Sequence, residues 1–198
     1  MSPHYFSEKP GGKETLFKIK IKVRGLELEI YSAPGIFSHQ KLDFGTRVLI
    51  ENMIIVDNSK VLDLGTGYGI VGIVYGILSP NSFVTMVDIN ERAVKVAKLN
   101  VKKLGLQNCR VIKSNLFEKI PETFDNIIVN PPISAGLKVC YKLIDVSIAH
   151  LKQDGLFQLV ARHKKGGRRL MEKIIETAGN CEVIAKSGGY WVYVARKK

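Results

Sequence analysis

At 198 residues and 45% hydrophobic content, the chain suits one α/β domain with its own core, and no apolar run reaches the roughly 18 residues of a membrane-spanning helix. The start, MSPHYFSEKPGGKE, is polar and charged, unlike a secretory leader, so a cytoplasmic protein is expected. The 30 Lys and Arg against 18 Asp and Glu leave a formal net charge of +12, which favours a polyanionic partner, nucleic acid foremost.

Residues 16 to 31 alternate. Phe17, Ile19, Ile21 and Val23 point one way and Lys18, Lys20, Lys22 and Arg24 the other; after Gly25, Leu26, Leu28 and Ile30 alternate with Glu27 and Glu29. A hairpin is predicted, its lysines paired with its glutamates across the turn. A helix follows, capped near Asp43, with Val48, Leu49, Asn52 and Met53 at helical spacing. From residue 60 strands and helices alternate: strands over 61–65, 83–89, 109–115, 124–130 and 156–162, and helices over 70–78, 90–104 (capped by Asn90), 138–151 and 168–178. CEVIAKS (181–187) and YWVYVARK (190–197), joined by Gly188-Gly189, make a closing antiparallel hairpin. The pattern implies a Rossmann-like, doubly wound, seven-stranded and mostly parallel sheet, with residues 1–40 a hairpin extension and 41–198 the core. Cys109, Cys140 and Cys181 are widely spaced, with no Cys-x-x-Cys pair or clustered histidines, so reduced thiols rather than disulfides or a metal site are expected.

VLDLGTGYGIVG sets Asp63, Gly65, Gly67 and Gly69 at alternate positions where the first core strand turns into a helix. Glycines there let backbone approach a bound nucleotide closely. About twenty residues on, Asp88 ends the second core strand, where a carboxylate can accept from both hydroxyls of an adenosine ribose. Gly67, Gly69 and Gly72 also spell Gly-x-Gly-x-x-Gly, so an NAD-dependent oxidoreductase is an alternative. It would need a proton donor, and Tyr-x-x-x-Lys occurs only as Tyr5/Lys9 at the start and Tyr193/Lys197 on a terminal strand. The Asp-x-Gly-x-Gly-x-Gly form more closely resembles motif one of class I S-adenosylmethionine-dependent methyltransferases.

IIVNPPISAG (127–136) ends a buried strand in Asn130 and two prolines, which neither extend a ladder nor donate a backbone hydrogen bond. An exocyclic amino group is a poor nucleophile. The Asn130 side-chain oxygen and the Pro131 carbonyl, held rigid by Pro132, can grip its two hydrogens and stabilise positive charge as it forms on nitrogen.

Asn-Pro-Pro-x resembles motif four of class I methyltransferases acting on planar amino groups of nucleobases or glutamine side chains. HYFSEKP (4–10), GIFS (35–38), LDFGTRVLIE (42–51) and VLDLGTGYGIVGI (61–73) are similar to the short, single-domain relatives of the small-subunit ribosomal RNA guanine-N2 methyltransferase. The resemblance implies S-adenosyl-L-methionine as cofactor, with Asp63, Gly65 and Gly67 at its methionine portion, Asp88 at the ribose and Asn115 at the adenine. Phe37, Asp43 and Thr46 would lie near cofactor or substrate, with Thr66, Gly69, Ile89, Leu116 and Asn130 completing the cofactor set. Asn130, Pro131, Pro132 and Ile133 would form the catalytic loop. The motif usually ends in an aromatic that stacks on the target base; Ile133 stands there instead. Asn115 occupies a position that is often acidic.

Arg162-His163-Lys164-Lys165-Gly166-Gly167-Arg168-Arg169 follows the fifth core strand and opens on the same rim as Asn130. Cations at a helix amino end oppose its dipole, so Arg162, Lys164, Lys165, Arg168 and Arg169 are expected to meet RNA phosphates. His39 and His150 read as surface or structural residues. Together these features imply an S-adenosylmethionine-dependent N-methyltransferase acting on ribosomal or other structured RNA, with no metal or membrane partner, as a monomer or weak homodimer. The same features also admit a protein glutamine methyltransferase or a non-catalytic RNA-binding module.

Overall fold

The computed structural model describes residues 15–198, so HYFSEKP and the Tyr5/Lys9 pair lie outside the described residues. Apolar/charged alternation produces β1 (Phe17–Val23) and β2 (Leu26–Ser32), joined by Arg24 and Gly25, both at positive φ as a two-residue hairpin turn requires. Lys22 sits opposite Glu27 and bonds it at 2.7 Å, while Lys18 reaches diagonally to Glu29 at 3.0 Å. Lys18 and Lys22 therefore serve cross-strand pairing, as expected. Its other face is part of the main core: Ile19, Ile21, Val23 and Ile30 are buried with residues of the helices beyond.

After α1 (Phe44–Asn52) the chain runs β3 (Lys60–Leu64), α2 (Ile70–Leu78), β4 (Phe83–Asp88), α3 (Glu91–Lys103), β5 (Cys109–Lys113), β6 (Phe124–Val129), α4 (Leu137–Ala149), β7 (Leu151–Arg162), α5 (Arg168–Ala178), β8 (Glu182–Ser187) and β9 (Tyr190–Arg196). The seven core strands lie in the order β5-β4-β3-β6-β7-β9-β8, and only β9 runs against the direction of the other six. The chain goes outward from β3 through β4 to β5, then returns to place β6 on the other side of β3. That reversal opens a crevice at the carboxyl ends of β3 and β6. Alternating side chains divide the core: Val61, Val84 and Met86 pack toward α1, α2 and α3, whereas Leu62, Val129 and Phe157 pack toward α4 and α5.

A buried polar clamp positions α1. Gln158 and Asn126, on adjacent strands, bond each other at 2.9 Å, and both hold Ile54 just beyond the helix: the Gln158 oxygen accepts from its N–H at 2.8 Å, and both amide nitrogens donate to its carbonyl. Each is fully buried, and this reciprocal bonding satisfies them. The amino end of α1 consequently stands beside the end of β6.

Several boundaries differ from the expectation. The helix predicted to reach Leu151 ends at Ala149, and β7 starts at Leu151, five residues earlier than predicted. The His150 N–H donates back to Val146 and Ser147, closing the helix, and Leu151 pairs with Phe124 of β6. The strands predicted over 109–115 and 83–89 likewise stop at Lys113 and Asp88, which frees Ser114, Asn115 and Ile89 to turn into the crevice. No helix among the described residues is long and apolar enough to cross a membrane.

Candidate active site

The floor is built by the turn from β3 into α2. Asp63, buried within β3, accepts from the Thr66 hydroxyl at 2.5 Å and from the Gly72 N–H at 2.9 Å. The loop between them closes on β4, where Gly65 and Thr66 both donate to the Val87 carbonyl. Gly67, at φ +60, turns its N–H onto Asp88 Oδ2 at 2.9 Å. Gly69 works from beneath: it caps α2 at φ +97, and an added Cβ would stand 2.7 Å from Met86 Cε. The other Asp88 oxygen accepts from the Asn90 N–H at 2.9 Å. Asp88 thus keeps accepting capacity for a ligand hydroxyl.

Burial pushes the Asp63 carboxyl up to about 6, against the Thr66 and Gly72 donors that favour its charged form; nearby Asp88 adds to the rise. Asp88 is raised for the same first reason, opposed by the Asn90 and Gly67 amides. Two neighbouring carboxylates make a floor suited to a cation.

Asn90 caps α3, accepting from Arg92 and Ala93, while its amide nitrogen donates to the Gly35 carbonyl at 2.9 Å; the Arg92 guanidinium holds the Pro34 carbonyl at 2.7 Å. Together they place the 33–37 loop, with half-exposed Phe37, against the crevice. At the far end Leu116 sits at φ +49, a strained setting for a branched side chain. The Asn115 amide nitrogen is engaged by Glu118 at 2.6 Å, which leaves its oxygen as the acceptor available to a ligand amine.

Beyond β6 the chain forms a tight three-residue turn: Pro132 takes φ −77, ψ 75, and the Ile133 N–H donates to the Pro131 carbonyl at 2.9 Å. One lone pair of that carbonyl is therefore already used within the loop, which sequence reading did not anticipate. The Asn130 amide nitrogen donates to Thr46 Oγ1 at 2.8 Å and lies 3.4 Å from Asp43 Oδ2. Asp43 Oδ2 also caps α1 through the Thr46 N–H at 2.9 Å. The start of α1 thereby fixes which way the Asn130 amide faces.

These loops enclose a cavity of about 610 Å³. Phe37, Asp43, Thr46, Asp63, Gly65, Thr66, Gly67, Asp88, Ile89, Asn115, Leu116 and the whole Asn130–Ile133 loop line it. The basic loop divides: Arg162 and Lys165 line the cavity, whereas Lys164, Arg168 and Arg169 line a neighbouring depression with His163. His163 stacks on Trp191 with ring centroids 3.5 Å apart and shares a 2.9 Å hydrogen bond with the Tyr193 hydroxyl, anchoring this loop to β9. Tyr193 is thus buried in a structural role, and Lys197 holds the Ala149 and Leu151 carbonyls, so the two do not form a proton relay. His39 packs edge-on against Phe17, and His150 stacks on Phe117. Lys142 and Tyr190 also line the cavity and escaped sequence reading. Neither belongs to a spaced motif; only the sheet register and the packing of α4 bring them here.

A doubly wound sheet with a glycine-lined cavity at its switch point, a carboxylate after the second core strand and an Asn-Pro-Pro turn beside it defines an S-adenosylmethionine-dependent methyltransferase. The model of the family described as "Methyltransferase small domain" matches residues 27–194, and the chain belongs to that family. It is 34% identical to the uncharacterized protein YbxB of Bacillus subtilis over the whole of both chains. It is 35% identical over 171 residues to the ribosomal RNA small subunit methyltransferase C of Haemophilus influenzae, covering 84% of this chain and 51% of that protein. The Thermus thermophilus 16S rRNA N2 guanine methyltransferase, solved with AdoMet and guanosine, superimposes with a TM-score of 0.82 at 24% identity over 92% of this chain and 51% of its own. The chain spans about half the length of these ribosomal RNA methyltransferases.

Proposed function

We propose that this chain methylates an exocyclic amino group of a nucleobase in ribosomal or other structured RNA, guanine N2 foremost. The observation that carries the reading is the orientation of Asn130. With its nitrogen given to Thr46 and Asp43, its oxygen is the half of the amide left to the cavity, where it can accept from an incoming amine. The remaining lone pair of the Pro131 carbonyl supplies a second acceptor in a fixed direction. Bound S-adenosylmethionine supplies an electrophilic methyl on sulfonium sulfur. Asp63, Asp88 and the Asn115 oxygen suit its cationic, ribose and adenine ends, and the strained Leu116 marks where the loop is shaped for a ligand. The charge of +12 and the basic rim favour RNA over a protein substrate.

Incubation of the protein with labelled S-adenosylmethionine and either bulk RNA, small ribosomal subunits or protein fractions, followed by nucleoside analysis, tests the reading. Label is expected in N2-methylguanosine from RNA or the particles. Label in protein, with none in RNA, would replace RNA by a glutamine substrate.

The raised carboxyls also give a pH signature. Asp63 is neutral below about 6 and charged above it, so the negative floor is complete only on the alkaline side. Cofactor affinity, measured by calorimetry from pH 8 to pH 5, is expected to fall as pH drops through about 6, by up to roughly tenfold per unit below it. For folding the sign is opposite. A carboxyl raised above its unfolded value stabilises the fold below about 4 and loses that contribution as pH rises through about 6. An affinity that stays flat across this range would contradict the role given to Asp63.

A further inference from the structure

Ile133 leaves the acceptor side of the cavity without the aromatic that the motif usually supplies. Among the described residues that line the cavity, an aromatic does stand on the Asn130 side, contributed by a different part of the chain: Tyr190, the first residue of β9. Its position follows from register. Arg162 closes β7 directly opposite Tyr190 in the antiparallel pair, and its guanidinium lies 5.4 Å from the Tyr190 ring centroid. Behind the ring stands Phe44 at the start of α1, centroids 5.8 Å apart.

Two glycines admit this arrangement. A Cβ on Gly45 would sit 2.6 Å from Tyr190 Cε1, and one on Gly188 would sit 2.5 Å from Phe44 Cε1. Phe44 remains 47% exposed, next in sequence to the Asp43 that fixes Asn130. The His163 N–H donates to the Gly189 carbonyl at 3.0 Å, tying the basic loop to the turn that carries Tyr190.

We propose that Arg162 and Tyr190, braced by Phe44, form the stacking wall of the acceptor pocket, replacing the aromatic absent at Ile133. A ring and a planar guanidinium both stack on nucleobases, and such stacking tolerates any base because each has a π face. A glutamine side chain has no ring to match, so the wall selects an amine carried on an aromatic base. The remaining cations, Lys165 on the rim and Lys164, Arg168 and Arg169 beside it, then hold the flanking phosphates rather than the base. The inference rests on the nucleobase reading above.

The test compares wild type with Tyr190→Leu, Tyr190→Phe and the triple change of Lys164, Arg168 and Arg169 to Ala. The readouts are steady-state methyl transfer to bulk RNA and small ribosomal subunits, S-adenosylmethionine affinity by calorimetry, and nuclear magnetic resonance binding of guanosine, adenosine and cytidine with S-adenosylhomocysteine present. Tyr190→Leu is expected to raise KM for RNA on the order of tenfold or more and to weaken binding of the cognate nucleoside, with cofactor affinity within about twofold of wild type. Tyr190→Phe keeps the ring and should restore both. The triple variant should weaken RNA binding with a shallower salt dependence yet leave nucleoside binding unchanged. An active wild type whose Tyr190→Leu variant matches it in KM and nucleoside binding overturns this inference alone. Loss of cofactor affinity in the same variant would make Tyr190 structural and overturn it as well. A wild type inert on both RNA probes overturns the nucleobase reading and this inference with it.

Discussion

Asn130→Ala is expected to slow methyl transfer by about 100- to 1,000-fold, the usual cost of deleting one preorganised acceptor or donor aimed at developing charge, while cofactor affinity stays within about twofold. The reason lies in what surrounds the amide. Thr46 and Asp43 keep their place through the cap of α1, so the cavity survives the truncation but loses the amide oxygen they orient toward the amine. Asn130→Asp should not rescue the rate, although it retains an oxygen. Its second carboxylate oxygen would face Asp43 Oδ2, which stands 3.4 Å from the present amide nitrogen, and two like charges at that range cannot both be comfortable. Single-turnover rates alongside calorimetric cofactor binding separate the two effects. Full activity in the alanine variant would end the proposed mechanism.

The second large effect is expected at Asp88. Replacing it with Ala removes the acceptor of both the Gly67 and the Asn90 N–H groups along with the one offered to a ribose. Charge-assisted hydrogen bonds contribute about 1.5–3 kcal/mol each, so the loss of the ligand contacts together with the loosened loop should weaken S-adenosylmethionine binding roughly 100-fold or more. Asp88→Asn keeps one acceptor and should fall between. If Asp88→Ala binds the cofactor as tightly as wild type while remaining folded by thermal melting, the ribose assignment is wrong.

Much of the architecture is legible because each core strand carries a local signature: an apolar run cut by Gly, Pro or a capping residue, as in VLDLGTG or at Asn90. The end of α4 was not, since Leu151 is as suitable for a helix as for a strand. Its fate is decided by Phe124 across the sheet, a partner that helical spacing does not reveal. The site divides in the same way. Asp63, Gly67, Asp88, Asn115 and Asn130 lie at or near the carboxyl ends of strands in a doubly wound order, and topology alone gathers them around one cavity. Tyr190 and Lys142 have no such address. The pairing of Tyr190 with Arg162 depends on how far β7 slides along β9, and one residue of slip would send the ring to the opposite layer. The Pro131 carbonyl was readable as an acceptor, but its engagement by Ile133 depends on the dihedrals of Pro132.

One buried amide ties the amino-terminal hairpin to the glycine loop on the floor of the cavity. The Asn100 oxygen accepts from the Tyr31 N–H at 2.7 Å, and its nitrogen donates to the Tyr31 carbonyl and to the Tyr68 carbonyl within the glycine loop, each at 2.9 Å. Whatever levers β2 off α3 must therefore strip a partner from the glycine loop, leaving polar groups dry and unpaired. The hairpin and the glycine-lined cavity share a fastening, and a contact made on the outside of this protein has a short mechanical route to that cavity.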